Sequence, residues 1–117
     1  MPDMQITRLA DAVPYDAPFH TGVDTRRLQG MEVGETDGFW MGLSVYPPGS
    51  KAGPSEIAGE SIYFVVSGEF VLRANGQTEV LTQYDSVHFV KGDHRELVNE
   101  SDADAVLAVA IANPKAT

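Results

Sequence analysis

Residues 47–70 read PPGSKAGPSEIAGESIYFVVSGEF, and residues 84–101 read YDSVHFVKGDHRELVNES. Pro47-Pro48-Gly49 must stop any strand that precedes it, because proline offers no N–H to a ladder. Ser61–Ser67 is β-branched and aromatic, the composition of a buried strand. Working outward, Phe39–Tyr46 alternates: Phe39, Met41, Leu43 and Val45 share one face, Trp40, Gly42, Ser44 and Tyr46 the other. Glu69–Ala74 and Gln77–Leu81 flank Asn75-Gly76, a strong hairpin signal because both turn residues tolerate positive φ. Ser86–Lys91, Arg95–Asn99 and Ala103–Ile111 predict three further strands. No stretch predicts an amphipathic helix. The reading is all-β: a single domain of about eight to ten short strands, closed or nearly closed so that its edges are hidden.

The two quoted stretches resemble the paired signature motifs of the cupin superfamily. In the first family motif a glycine is followed by two histidines, a glutamate and a second glycine. Here those places hold Gly49, Ser55, Ile57, Ser61 and Gly68. The second motif runs glycine, proline, glycine, histidine, asparagine, and here reads Tyr84, Val90, Gly92, Arg95, Asn99. The glycine frame is kept and the family's metal ligands are replaced. The resemblance spans Gly42 to Ile111. It implies an RmlC-like antiparallel β-barrel, the jelly roll or double-stranded β-helix, and a homodimer formed by strand exchange or sheet packing. Metal-poor members resembling this frame include isomerases, epimerases, lyases and sugar- or metabolite-binding modules.

At 117 residues the chain is one domain. Residues 1–25, rich in Pro, Asp and Thr, read as an irregular arm with one short strand at Gln5–Leu9, and residues 26–117 as the barrel. Seventeen acidic against eight basic residues give a net charge of −9, which repels phosphate backbones and anionic lipid. Nucleic acid and membrane are therefore not the expected partners; a small-molecule ligand is. Cysteine is absent, which removes disulfides and thiolate chemistry. No run approaches the ~20 apolar residues of a membrane span, and no basic segment leads into an apolar one as in a signal peptide. A cytoplasmic location is the expectation.

Alternation along the barrel strands turns Ser61, Tyr63 and Val65 inward together, and Arg95, Leu97 and Asn99 likewise. With Ser55 and Ile57 they line a pocket polar in spots and otherwise apolar. Arg95 stands where the resemblance places a metal ligand. A guanidinium keeps its proton and pairs in a planar fork with carboxylates, so Arg95 anchors an anionic ligand or, alternatively, pairs with Glu60, Glu96 or Asp93 near the barrel mouth. Trp40 and Tyr46 share a face and either stack on a planar ligand or fill the core. His88 and Tyr63 are the candidate proton carriers; either face of the His88 strand can look inward. His94 lies one place from the motif's histidine, which in a strand turns it to the opposite face. His20 sits in the arm with no spacing argument.

Three functions are compatible. The first is a metal-independent enzyme or binder for a small anionic or carbonyl metabolite, with Arg95 in the metal's place and no cofactor. The second is a sensor or carrier that binds without reacting. The third is a metal-dependent dioxygenase or isomerase with an unorthodox divalent-metal site built from Glu60, His88 and His94.

Overall fold

The alternation of Phe39–Tyr46 resolves as a strand whose Trp40, Gly42, Ser44 and Tyr46 are buried while Phe39 and Met41 face solvent. In the computed structural model, which describes residues 4–114, it is β4 of eleven strands; the ends of the predicted arm and barrel, 1–3 and 115–117, lie outside the described residues. The others are β1 (Val13–Pro14), β2 (His20–Thr21), β3 (Asp24–Gln29), β5 (Lys51–Glu56), β6 (Ser61–Ser67), β7 (Phe70–Ala74), β8 (Gln77–Leu81), β9 (Ser86–Phe89), β10 (His94–Val98) and β11 (Ala105–Ala112). They form two antiparallel sheets, ordered β1-β3-β4-β11-β6-β9 and β2-β5-β10-β7-β8. The double-sheet jelly roll encloses one core. No helix among the described residues is long and apolar enough to cross a membrane.

Local chemistry accounts for most of these elements. Asn75 and Gly76 take φ of 51° and 79°, the mirror-image turn that matches the strand twist of β7 and β8. Gly68, with φ of 81°, turns β6 into β7 where a Cβ would lie 2.7 Å from Ala105 Cα, so only glycine fits.

The N-terminal stretch departs from expectation. Gln5–Leu9 forms no strand; Leu9–Asp11 is a 3₁₀ turn. Gln5 is tied by side-chain bonds instead: its Nε2 donates to the Val33 carbonyl (2.9 Å), and its own carbonyl accepts from Gln29 Nε2 (3.2 Å). The arm also supplies two strands, β1 on one sheet and β2 on the other, so the residues between them cross from sheet to sheet.

Inward residues divide into two zones. Val65, Phe70, Leu72, Leu97 and Leu107 are between 0% and 6% exposed and plug one end of the barrel. Burial of each such side chain contributes about 1.5–3 kcal/mol. Towards the other end the same strands line a hollow: Tyr63 and Ser61 follow Val65 on β6, Val109 and Ile111 follow Leu107 on β11, and Arg95 precedes Leu97 on β10.

Candidate functional site

The hollow has a volume of about 1140 Å3, a little above the usual range of about 300–1,000 Å3 for small-molecule sites. Its polar centre is Arg95. The register β5-β10-β7 sets Arg95 opposite Ser55 on one side and Ala74 on the other, and the strand's alternation turns its side chain inward, 7% exposed. Arg95 Nη1 donates to Ser55 Oγ (2.8 Å), while Nε and Nη2 both donate to the Tyr63 hydroxyl (3.3 and 3.2 Å). The phenol oxygen thus accepts twice from one guanidinium, which leaves its own proton free to be donated elsewhere. Among the described residues no carboxylate lies within 4.0 Å of Arg95. The alternative pairings with Glu60, Glu96 and Asp93 are not made: Glu96 meets Lys51 and Arg73 on the outer face.

Aromatic rings form the walls. Tyr46, 1% exposed, packs edge-on against Phe70, and burial pushes its phenol above its ordinary pKa. Trp40 stands edge-on to Tyr15 with centroids 5.6 Å apart. The Arg27 guanidinium lies 3.6 Å from the Tyr15 ring centroid and 4.1 Å from that of Trp40, and its Nε donates to Glu32 Oε1 (2.9 Å). A cation held over aromatic faces is attracted by the ring quadrupole. Burial raises the Tyr15 pKa, with the Arg27 charge opposing.

Of the sequence-predicted site residues, Arg95, Ser55, Ile57, Ser61, Tyr63, Trp40 and Tyr46 converge on this cavity. Ser61 spends its hydroxyl on the Gly59 carbonyl (2.7 Å). Asn99 is elsewhere: fully buried, its Nδ2 donates to the Tyr46 and Ala103 carbonyls (both 2.7 Å) and its Oδ1 accepts from Ser101, so it anchors a loop and does not line this cavity. His88 does not reach the interior either. Phe89 and Val87 take the inward face of β9, which turns His88 out beside exposed Ile62, where its Nε2 donates to Glu60 Oε2 (2.7 Å). His94 is exposed opposite Glu56, as the one-residue offset dictates.

The side chains at the family's ligand positions are not those that usually hold an ion. The four family ligand positions hold two hydroxyls, an alkyl chain and a cation, and Arg95 brings positive charge to the place an ion would occupy. Glu60 and His88 meet, but no group of three or more His, Asp or Glu among the described residues is placed to hold an ion.

Tyr15, His20 and Arg27 also line the cavity, and no motif or spacing in the sequence marks them. Tyr15 and His20 bound the crossing between β1 and β2. The Tyr15 N–H donates to the Thr25 carbonyl (3.0 Å) and the Thr25 hydroxyl to the Tyr15 carbonyl (2.5 Å). Gly53 N–H donates to the Phe19 carbonyl (2.8 Å) at the far end. The crossing therefore spans the cavity as a strap tied at both ends. The cavity's carboxylates, Asp16, Glu56 and Glu60, are all exposed and lie at its rim.

This barrel, with its glycine frame and inward pocket, is that of a cupin. The sequence pattern defining the cupin domain matches residues 42–111, and the chain belongs to that family. It is 46% identical over 113 residues to a protein named beta-D-galactosidase from Mycobacterium tuberculosis, covering 97% of each chain. The polyketide cyclase RemF from Streptomyces resistomycificus superposes with a TM-score of 0.80 at 18% identity, over 93% of this chain and 79% of that one. An RmlC-like cupin from Shewanella frigidimarina superposes with a TM-score of 0.77 at 16% identity, over 97% and 94%.

Proposed function

We propose that the chain binds a galactose-type sugar in this cavity and hydrolyses its β-glycosidic bond without a metal ion. The observation that carries the reading is Arg95, a guanidinium withdrawn from solvent, held by two hydroxyl groups and without an acidic partner within 4.0 Å among the described residues. A buried charge is costly unless a ligand meets it. Its fork suits two neighbouring sugar oxygens and suits a carboxylate better, so an acidic sugar such as a galacturonide is the preferred form. An ion pair at about 4 Å is worth about 4 kcal/mol before desolvation at an effective dielectric of about 20, enough to choose an acidic over a neutral ligand. The name of the Mycobacterium tuberculosis relative supports the sugar class and the bond cleaved.

A second reading, binding without turnover, is favoured by the rim position of the three carboxylates. Most glycosidases work with a carboxylate pair flanking the bond, which this interior lacks. Chelator-treated protein incubated with p-nitrophenyl β-D-galactoside separates the readings. Release of nitrophenol that is lost in Arg95→Ala supports the hydrolase. Binding with no release supports the module, and activity restored only by a divalent ion overturns metal independence.

The homodimer is part of the same proposal. The outer face of the six-stranded sheet exposes Phe39, Met41, Ile62 and Phe64, with Ala108 and Ala110 between them in register. In a chain of charge −9, an uncharged patch is where two copies approach at least cost, and we assign it to a second copy.

A further inference from the structure

We infer that His20 is the proton acceptor of this cavity, receiving a proton from the attacking water at Nε2. The inference rests on the hydrolytic reading above and names a base that no motif or spacing singles out.

Three features of the strap support it. His20 lines the hollow, half-buried, with its ring 6.5 Å from that of Tyr46. Its Nδ1 sits 2.8 Å from the Pro18 carbonyl. A carbonyl only accepts, so the proton is on Nδ1, and in the neutral imidazole Nε2 is left as a bare lone pair. Among the described residues Nε2 has no hydrogen-bond partner. Backbone bonds fix the ring's position: His20 pairs with Ala52 in the β2–β5 ladder, and the preceding carbonyl is held by Gly53.

The charged and titratable groups that face this ring favour the neutral base. Burial lowers its pKa first, the Pro18 carbonyl opposes, and the Arg95 charge on β10 lowers it further. Tyr46 on β4 is a neutral phenol, and no carboxylate lies within 4.0 Å of the ring among the described residues.

The step balances with groups already in the cavity. The water oxygen bonds to the anomeric carbon while its proton passes to His20 Nε2. The bond from that carbon to the departing oxygen breaks, and this oxygen takes the free proton of the Tyr63 hydroxyl, whose phenolate Arg95 holds through two N–H groups. The His20 imidazolium then returns its proton to Tyr63 through solvent. One water is consumed and two hydroxyl compounds are released.

Two measurements on the full chain test the inference. The first needs no turnover: the imidazole 15N resonances of unliganded protein at neutral pH. A protonated Nδ1 with an unprotonated Nε2 is expected, and the opposite tautomer overturns the inference. The second is turnover of p-nitrophenyl β-D-galactoside by His20→Asn, whose side-chain amide replaces the Nδ1 donor to Pro18 while removing the basic nitrogen. The expectation is a fall in kcat of about 100-fold or more with KM little changed, and loss of the acidic limb of the pH profile. An unchanged kcat and profile overturn the base assignment. If the unsubstituted protein releases no nitrophenol, the hydrolytic reading fails, and with it the base role; the tautomer measurement then still decides whether the cavity holds a poised acceptor.

Discussion

Arg95 offers its fork and its charge as separable properties. Arg95→Lys keeps the charge and cannot reach Ser55 and Tyr63 together in one plane, whereas Arg95→Ala removes both. Calorimetric titration with galacturonate is expected to show a loss of about 1.5–3 kcal/mol for the alanine variant and an intermediate loss for lysine. Unaltered affinity makes Arg95 a structural residue. His20 yields a prediction in pH. Burial holds its folded pKa below the ordinary imidazole value of 6.5, so the neutral form is the one the fold favours. Its contribution to stability is complete above 6.5 and is lost as pH falls through the folded value, so denaturation midpoints should decline with acidification and His20→Asn should flatten that decline. Tyr63→Phe separates the two protons of the proposed hydrolysis: it should slow methyl β-D-galactoside, whose leaving group needs a proton, far more than the nitrophenyl substrate, whose leaving group departs unaided. Arg95 was legible because a motif marks its place. The direction of His88 was not, since strand alternation gives two faces and only the packing of Phe89 and Val87 chooses between them.

Strands with a clean period of two were visible in advance. β4, β6 and the β7–β8 hairpin fall within a residue of expectation because apolar alternation or an Asn-Gly turn marks each. β3 (DTRRLQ) and β5 (KAGPSE) were not, for their polar, Gly and Pro residues carry little strand propensity; they hold their places by pairing with β4 and β10. The polar character of β3 also hid Arg27. β5 shows what its glycine is for. Gly53 has φ of 86°, its N–H ties the strap at Phe19, and a Cβ there would collide with the Arg95 carbonyl oxygen. Gly53→Ala should cost about 1–3 kcal/mol in backbone strain and more through displacement of β10. A denaturant titration measures the first, and weakened sugar binding reports the second.

At the scale of the molecule, the apolar outer face and the packed barrel end make different demands. Phe64→Glu places an anion on the surface assigned to the second copy, and light scattering should find the mass of one chain where the parent gives two. Leu107, 1% exposed in the plug, should lose about 2–5 kcal/mol on truncation to alanine without altering the cavity. The plug has another consequence. Val65, Phe70, Leu97 and Leu107 close the barrel behind Tyr63 and Arg95, so nothing long can thread through it. Under the hydrolytic reading proposed above, a polysaccharide would present its terminus here, and successive cleavage would liberate monosaccharides one at a time.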